Sequence, residues 1–514
     1  MGWKRAQAPK HDAEPTPDHG AGGHGLKAAG GHAAALLLAP ILLLAGCAAV
    51  GPDYVRPETP SANTWRDAPT GSEPAPEAIP RGAWWKLFGD PGLDALQERV
   101  AAENHDLKAA LSRIEQALAS TKAVRSALYP SVTANPTWTR TEYSPNAGLP
   151  FSSATISDIR VPIDLSWEID LWGRVRRAVE AGERETDALA AAYESLRLSI
   201  QAEVAASWFS LRALETEVSV LNRSVEVRRN AFDIVRSRVE AGTSNELDLA
   251  RVETELASAE VDLSEVSRQR SALRNALAVL AGEPPSSFDI DVGAWLAAEP
   301  PEIPAGLPSE LLERRPDVAQ AERELAARNA RIGVAEAAYF PSIRLTGSAG
   351  LQSGEIDDLF EIDSRIWSLA PSISIPIFQG GRLEADEARA RAAYDEGVEL
   401  YRQRVLVAFR EVQDALTATK LLSEQAVAQE RATVAAKRVA DLSLTRFNAG
   451  FVSFLDVVDG ARARLAAERA YAQLQGRRFV NAVLLVRALG GGWDASALPG
   501  LAAGREHAEA PKAE

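Results

Sequence analysis

The sequence predicts a mixed α/β membrane protein in which strands from several chains close one shared β-barrel and long helices continue it as an α-helical tube. Three observations carry this. First, the chain repeats itself. Arg238-Val-Glu-Ala-Gly-Thr-Ser-Asn-Glu-Leu-Asp-Leu249 returns 208 residues later as Arg446-Phe-Asn-Ala-Gly-Phe-Val-Ser-Phe-Leu-Asp-Val457, and Gly173-Arg174 returns at the same offset as Gly381-Arg382. Landmarks held in register over so long a period mark two copies of one structural unit. Second, Ile159, Val161, Ile163, Leu165, Trp167, Ile169 and Leu171 alternate with Arg160, Pro162, Asp164, Ser166, Glu168 and Asp170. That alternation defines a strand with one apolar and one polar face. Third, the stretch from Gly173 to Gly242 contains no proline and carries apolar residues at helical spacing. A helix of that length reaches about 100 Å at 1.5 Å per residue.

The elements follow in order. Residues 1–46 read as a signal segment, with Lys4, Arg5, Lys10 and Lys27 before an apolar run, Ala33 to Ala45, too short to span a bilayer. The run ends in Leu44-Ala45-Gly46-Cys47, which resembles the bacterial lipobox. Its thiol is expected to carry a covalent diacylglycerol and its new N-terminus an N-acyl chain. Ala48, in place of Asp, points to the outer membrane. Cys47 is the single Cys of the chain, so no disulfide forms within it and a catalytic Cys–His pair is nearly excluded. Four of the six His lie before Cys47, so no His-based metal site is legible and no other cofactor is expected. A net charge of −15 argues against nucleic-acid binding. Residues 47–80, rich in Pro, read as an extended lipid-anchored tether.

Repeat 1 occupies 81–282. A helix starts after Asp90-Pro91, continues through Leu107, Leu111, Ile114 and Leu118, and ends at Tyr129-Pro130. A strand over Ser131 to Tyr143, a loop with Ser144-Pro145-Asn146, and the alternating strand follow. Then comes a helical hairpin whose second arm holds Leu249, Val252, Leu256, Ala259, Leu263, Val266, Leu273, Leu277 and Leu280 in heptad phase. Its turn, Ala241 to Asn245, offers a C′ glycine and N-cap residues. Residues 283–308 link the copies, 309–490 form repeat 2, and 491–514 read as a disordered tail.

Strands of about ten residues suit a tilted bilayer crossing. A soluble sheet with one face on a core would show the same alternation. Export and the length of the flanking helices favour the membrane, where an open sheet edge is not tolerated. Four strands cannot close alone, since known barrels start at about eight. Two chains would give eight strands and three would give twelve. A tube serves conduction and no catalytic constellation appears, so the chain is not expected to be an enzyme. A periplasmic adaptor lipoprotein is the competing reading, but adaptors carry one hairpin and this chain carries two.

Several motifs in order resemble the TolC-like outer-membrane efflux channels, in their OprM/NodT-like lipoprotein branch. These are Cys47 with Val50-Gly-Pro-Asp-Tyr54, Trp84-Trp85 with Phe88 and Asp90-Pro91, and Asp170-Leu-Trp-Gly-Arg174. They continue with Leu311-Leu-Glu-Arg-Arg-Pro-Asp317, Tyr339-Phe-Pro-Ser342, and Pro376-Ile-Phe378 before Gly380-Gly381-Arg382. The resemblance implies a homotrimer with a twelve-stranded barrel in outer-membrane lipid, a twelve-helix periplasmic α-barrel and an equatorial collar. The collar would be built from 283–308 and the two ends of the mature chain. It implies the exit duct of a tripartite efflux system conducting small molecules, partnered by a periplasmic adaptor protein and an inner-membrane RND transporter. Related ducts for secreted proteins are the alternative. It places a gate at Leu455, Asp456, Asp459 and Arg462, with Asp456 and Asp459 forming carboxylate rings in the trimer. Adaptor-contact tips fall at Arg238, Gly242, Arg446 and Gly450. The residues after the two turns differ, so the gate is expected to be asymmetric, with copy two carrying it. The simpler reading of these positions is helix-end chemistry: aspartates at an N-terminus and arginines at a C-terminus both suit the dipole.

Overall fold

A computed structural model of the chain describes residues 49–60, 64–66, 82–144, 155–293, 299–304 and 314–493. The signal segment with Cys47, part of the tether, the loop from 145 to 154, part of the linker and the tail lie outside the described residues.

After a 3-10 turn, Trp84–Phe88, come α1 (Pro91–Glu103) and α2 (His105–Ser126). The sequence reads these as one helix, but Asn104 divides them. Its backbone N–H still bonds Val100, while its side chain accepts the Leu107 N–H and so starts a new helix. An N-cap residue inside an apolar run ends one helix and begins the next.

The sheet comprises β1 (Ser131–Ala134), β2 (Thr137–Glu142), β3 (Thr155–Ile169), β4 (Ser342–Ser353) and β5 (Arg365–Ser374). All pairings are antiparallel, in the order β1/β2–β3–β4–β5. The expected single strand over Ser131 to Tyr143 is thus two pieces. Both keep one register against β3, Ala134 opposite Ile163 and Thr137 opposite Arg160. The gap falls where Pro136 and, across the pair, Pro162 each lack the N–H a ladder needs. Val132, Ala134, Ile163, Leu165, Leu345, Ala349, Trp167, Trp367 and Leu369 share one face. Thr133, Thr137, Arg160, Asp164, Arg344, Ser348 and Ser368 share the other.

From β3 the chain enters α3 (Arg174–Glu240), turns, and returns as α4 (Glu246–Leu280). The second copy gives α5 (Pro316–Ala337), then, after β5, α6 (Arg382–Asn448) and α7 (Phe454–Ala488). Both long helices have 67 residues and both return helices have 35. Val252, Ala259, Val266 and Leu277 of the heptad seam are buried.

Near the tips the helices lie in the row α6–α7–α3–α4, and toward the sheet in the row α6–α5–α3–α2. The two rows join end to end. The Asn104 amide donates to the Leu280 carbonyl, seating α2 on α4, and the Arg315 guanidinium donates to the Ala488 carbonyl, seating α5 on α7. An equatorial core fills the first seam: Trp84, Leu93, Trp208, Phe209, Leu277, Phe288, Val292 and Phe479 pack together. Trp84 is 0% exposed. Side chains buried to this degree contribute about 1.5–3 kcal/mol each. Asp90 caps α1 and also accepts from Trp208 and Arg212, so the Asp90-Pro91 pair ties the collar to α3. Among the described residues no helix is long and apolar enough to cross a membrane.

The segment read as a tether is extended but docked. Val50 donates to the Trp172 carbonyl, and Arg177 donates to the Val50 and Gly51 carbonyls and to Asp53. Asn329 donates to the Pro52 carbonyl, and Arg56 to the Tyr401 hydroxyl. Gly51, at φ 99°, lies so close that a Cβ there would stand 2.3 Å from the Gly333 Cα, so only glycine fits. Further along, Trp65 is buried with Val405 and Val412 of α6. Arg177→Ala is therefore expected to release this strap. Chymotrypsin cleavage after Tyr54 should accelerate in the folded protein; an unchanged rate would show that Arg177 does not hold it.

Candidate pore gate

Both hairpin tips are closed by the same local chemistry. Gly242 (φ 72°) and Gly450 (φ 77°) follow the long helices in the left-handed conformation that glycine adopts without strain. The Arg238 carbonyl accepts the Thr243 N–H at 2.8 Å, and the Arg446 carbonyl accepts the Phe451 N–H at 2.9 Å. Thus the backbones of Arg238 and Arg446 seal the helix ends, while their exposed guanidinium groups form no ion pair among the described residues. Leu455 is also exposed, beside the Phe447–Phe454 ring contact.

The aspartates separate into two roles. The Asp456 carboxylate accepts the Ser453 N–H at 2.9 Å and the Ser453 hydroxyl at 2.7 Å, closing the N-terminus of α7. The Ser453 hydroxyl is the main cause holding this carboxyl below its ordinary value, with the Ser453 N–H adding to it. In copy one the equivalent Asp248 accepts from the Asn245 amide at 2.9 Å, and the Asn245 oxygen accepts the Asp248 N–H. Asp456 is therefore matched by a cap in the other hairpin, and the expected asymmetry does not reside there. Among the charged gate positions it lies at Asp459, whose counterpart is Arg251, and at Arg462, whose counterpart is Thr254. Asp459 is 63% exposed and lies 3.6 Å from Arg462.

Arg462 itself reaches across to the first hairpin. Its Nε donates to Glu255 of α4 at 2.9 Å, and a second bond from Nη2 doubles the contact. Glu255 is buried and also lies 3.4 Å from Arg228 of α3. Burial is the main cause holding the Arg228 guanidinium below its ordinary value, with the Arg462 charge adding to it. Two turns further along α7, Arg469 donates to Glu217 of α3 at 2.7 Å and to Asp262 of α4 at 2.8 Å. Gln473 donates to both Glu217 oxygens at 3.2 Å. Sequence reasoning missed Glu255, Arg228, Glu217, Asp262, Arg469 and Gln473. One signal was present: Arg462–Glu255 and Arg469–Asp262 each join residues 207 apart, one short of the repeat period.

A membrane-length sheet with one apolar and one polar face, carried on paired hairpins of tunnel length, defines a channel-type subunit of the cell envelope. The chain belongs to the outer membrane efflux protein family, which matches residues 96–283 and 307–491, and it is an outer-membrane protein of efflux. Over 457 residues it is 32% identical to the probable efflux pump outer membrane protein TtgC of Pseudomonas putida, covering 88% of this chain and 94% of that protein. Its fold is similar to the outer-membrane channel OprN, with a TM-score of 0.80 at 31% identity over 86% of this chain and 99% of that one. It is also similar to the open state of the Neisseria gonorrhoeae MtrE outer membrane channel, with a TM-score of 0.77 at 32% identity over 87% and 98% of the two chains.

Proposed function

We propose that three copies of this chain form the exit duct of a tripartite efflux pump, passing small molecules from the periplasm to the exterior. The observation that carries this is the pair of free edges on each layer. Within the chain β1/β2 and β5 each pair on one side only, and α4 and α6 end the helix row on the same two sides. Outward apolar residues such as Trp367, Leu369 and Ile373 on β5 are more than 60% exposed in the single chain. In lipid those edges must be paired. Three such staves give twelve strands around a polar lumen and twelve helices around the tunnel. The strap supports a lipid anchor on Cys47: Val50 bonds the Trp172 carbonyl at the junction between β3 and α3, placing the chain's entry beside the membrane-facing sheet. The exposed tips around Arg238, Gly242, Arg446 and Gly450 meet the adaptor, which links the duct to a proton-driven RND transporter. The gate lies at Leu455, Asp459 and Arg462, with Asp456 holding the turn that presents them.

In native mass spectrometry from detergent the protein is expected as three chains, and in planar bilayers as a cation-preferring conductance. A monomer without conductance would discard the proposal. Cys47→Ser is expected to remove the lipid mass while the protein stays in the outer-membrane fraction, since the barrel holds it there. An unchanged mass would refute lipidation.

A further inference from the structure

The apolar face of the sheet carries charge at one end only. Along that face the strand residues are uncharged except for Arg140, Glu142 and Arg365. All three lie at the end away from the long helices: Glu142 closes β2, Arg140 stands two residues before it, and Arg365 opens β5. Each arginine has a tryptophan two residues inward on the same face, Trp138 on β2 and Trp367 on β5. The order is reversed, Trp138-Thr-Arg140 against Arg365-Ile-Trp367, because β2 runs away from the helices and β5 runs back toward them. Both strands therefore set a guanidinium about 7 Å beyond an indole. Trp138 and Trp367 are 71% and 81% exposed in the single chain. Both arginines are exposed too, and among the described residues neither pairs with an acid, although Glu142 and Asp363 each stand two residues away.

We infer that each Trp–Arg pair is half of a site for a phosphorylated lipid of the outer leaflet, and that the halves meet where β5 of one copy lies beside β2 of the next. This rests on the trimeric barrel and adds what its outer rim holds. Indoles settle where hydrocarbon gives way to headgroups, so arginines just beyond them reach the phosphate level. A guanidinium is costly in hydrocarbon, and its fork matches phosphate oxygens. Glu142 stands further out, past that level. β2 and β5 lie at the two free edges of the sheet, so closing the barrel brings one pair of each kind to every seam.

The test is native mass spectrometry of the full-length protein, released from detergent with hexa-acylated lipid A carrying two phosphates. The monophosphorylated form and inorganic phosphate serve as comparisons. The wild type is expected to retain one bisphosphorylated lipid at each seam and to hold the monophosphorylated form more weakly. Arg140→Gln and Arg365→Gln should each weaken retention about fivefold, and together on the order of thirtyfold. Arg160→Gln, on the polar face of β3, should leave it unchanged; an equal loss there would reduce the effect to net charge and overturn the site. Retention that ignores the phosphates, or survives the double substitution, would overturn it in favour of an apolar girdle alone. Displacement by inorganic phosphate at matched concentration would overturn the lipid as occupant. The same spectra report chain number: three chains without lipid discard this site and keep the barrel, whereas a monomer discards both.

Discussion

Replacing Arg315 with alanine is expected to lower the stability of the folded chain by about 3 kcal/mol, the low end of the cost of stranding a buried ionic partner. Arg315 is 7% exposed and is held from three directions. It donates in a two-pronged contact to Asp317 at 2.8 and 2.9 Å, pairs with Glu411 of α6 at 2.8 Å, and donates to the Ala488 carbonyl at the end of α7. Burial works against its charge, but the two carboxylates outweigh that and hold the guanidinium above its ordinary value. Removing it takes from Asp317 its two-pronged partner, leaving only the Val318 N–H and Arg404 at 3.9 Å, and leaves a helix-end carbonyl without its donor. The low end applies because Glu411 is 29% exposed and water can reach it. Arg315→Lys keeps the charge but loses the fork, so an intermediate loss is expected. Equilibrium or scanning unfolding of the detergent-solubilised protein measures both, and equal stability of all three would remove this residue from the joint.

The same site has a defined response to acid. Burial raises the Asp317 carboxyl, but the Arg315 hydrogen bonds and charge more than offset this and leave it below its ordinary value of 3.8. A carboxylate depressed in the folded state stabilises above its unfolded pKa and loses that contribution as pH falls through the folded one. The joint should therefore hold down to about pH 4 and weaken only below it. The unfolding midpoint of Asp317→Asn should be less sensitive than that of the wild type across that acidic window.

Neutralising both Asp456 and Asp459 as asparagines is expected to raise the conductance of the purified channel in planar bilayers and to reduce its preference for cations. A carboxylate repeated by threefold symmetry around a narrow pore repels its copies and draws cations in. The structure divides the expected result between the two positions. Asp459, exposed and beside Arg462, should carry most of the change in selectivity. Asp456 is bonded twice to Ser453, so its replacement should loosen the first turn of α7 and raise conductance through disorder more than through charge. Single substitutions separate the two. If selectivity follows Asp456 alone, the assignment of roles is reversed; if neither conductance nor selectivity moves, the gate lies elsewhere.

How much of this was legible in the sequence depended on whether the signal was local. The long helices announced themselves through the absence of proline between Gly173 and Gly242 and through spacing, and the turns through Gly242 and Gly450. The alternation of β3 was plain, but the interruption at Asn135-Pro136 depended on Pro162 standing opposite, which requires the register. The docked strap was not legible, because Gly51 and Gly333 carry no mark of each other until the fold brings their backbones together. Glu255 was hidden for a different reason. It is one glutamate among many flanking a heptad seam, and only its burial beneath Arg228 and Arg462 separates it from those that face water. Asp456 and Asp459 look alike in the sequence and differ only in what they touch.

The two end-to-end joints, α2 on α4 and α5 on α7, have a mechanical meaning. Of the four rods that make up each stave near the tip, two are spliced at mid-height, and only α3 and α6 run unbroken from the sheet to the turns. A load entering at the tips can reach the sheet along unbroken backbone in those two members, whereas through α4 and α7 it must cross a joint closed by a side chain, the Asn104 amide in one and the Arg315 guanidinium in the other.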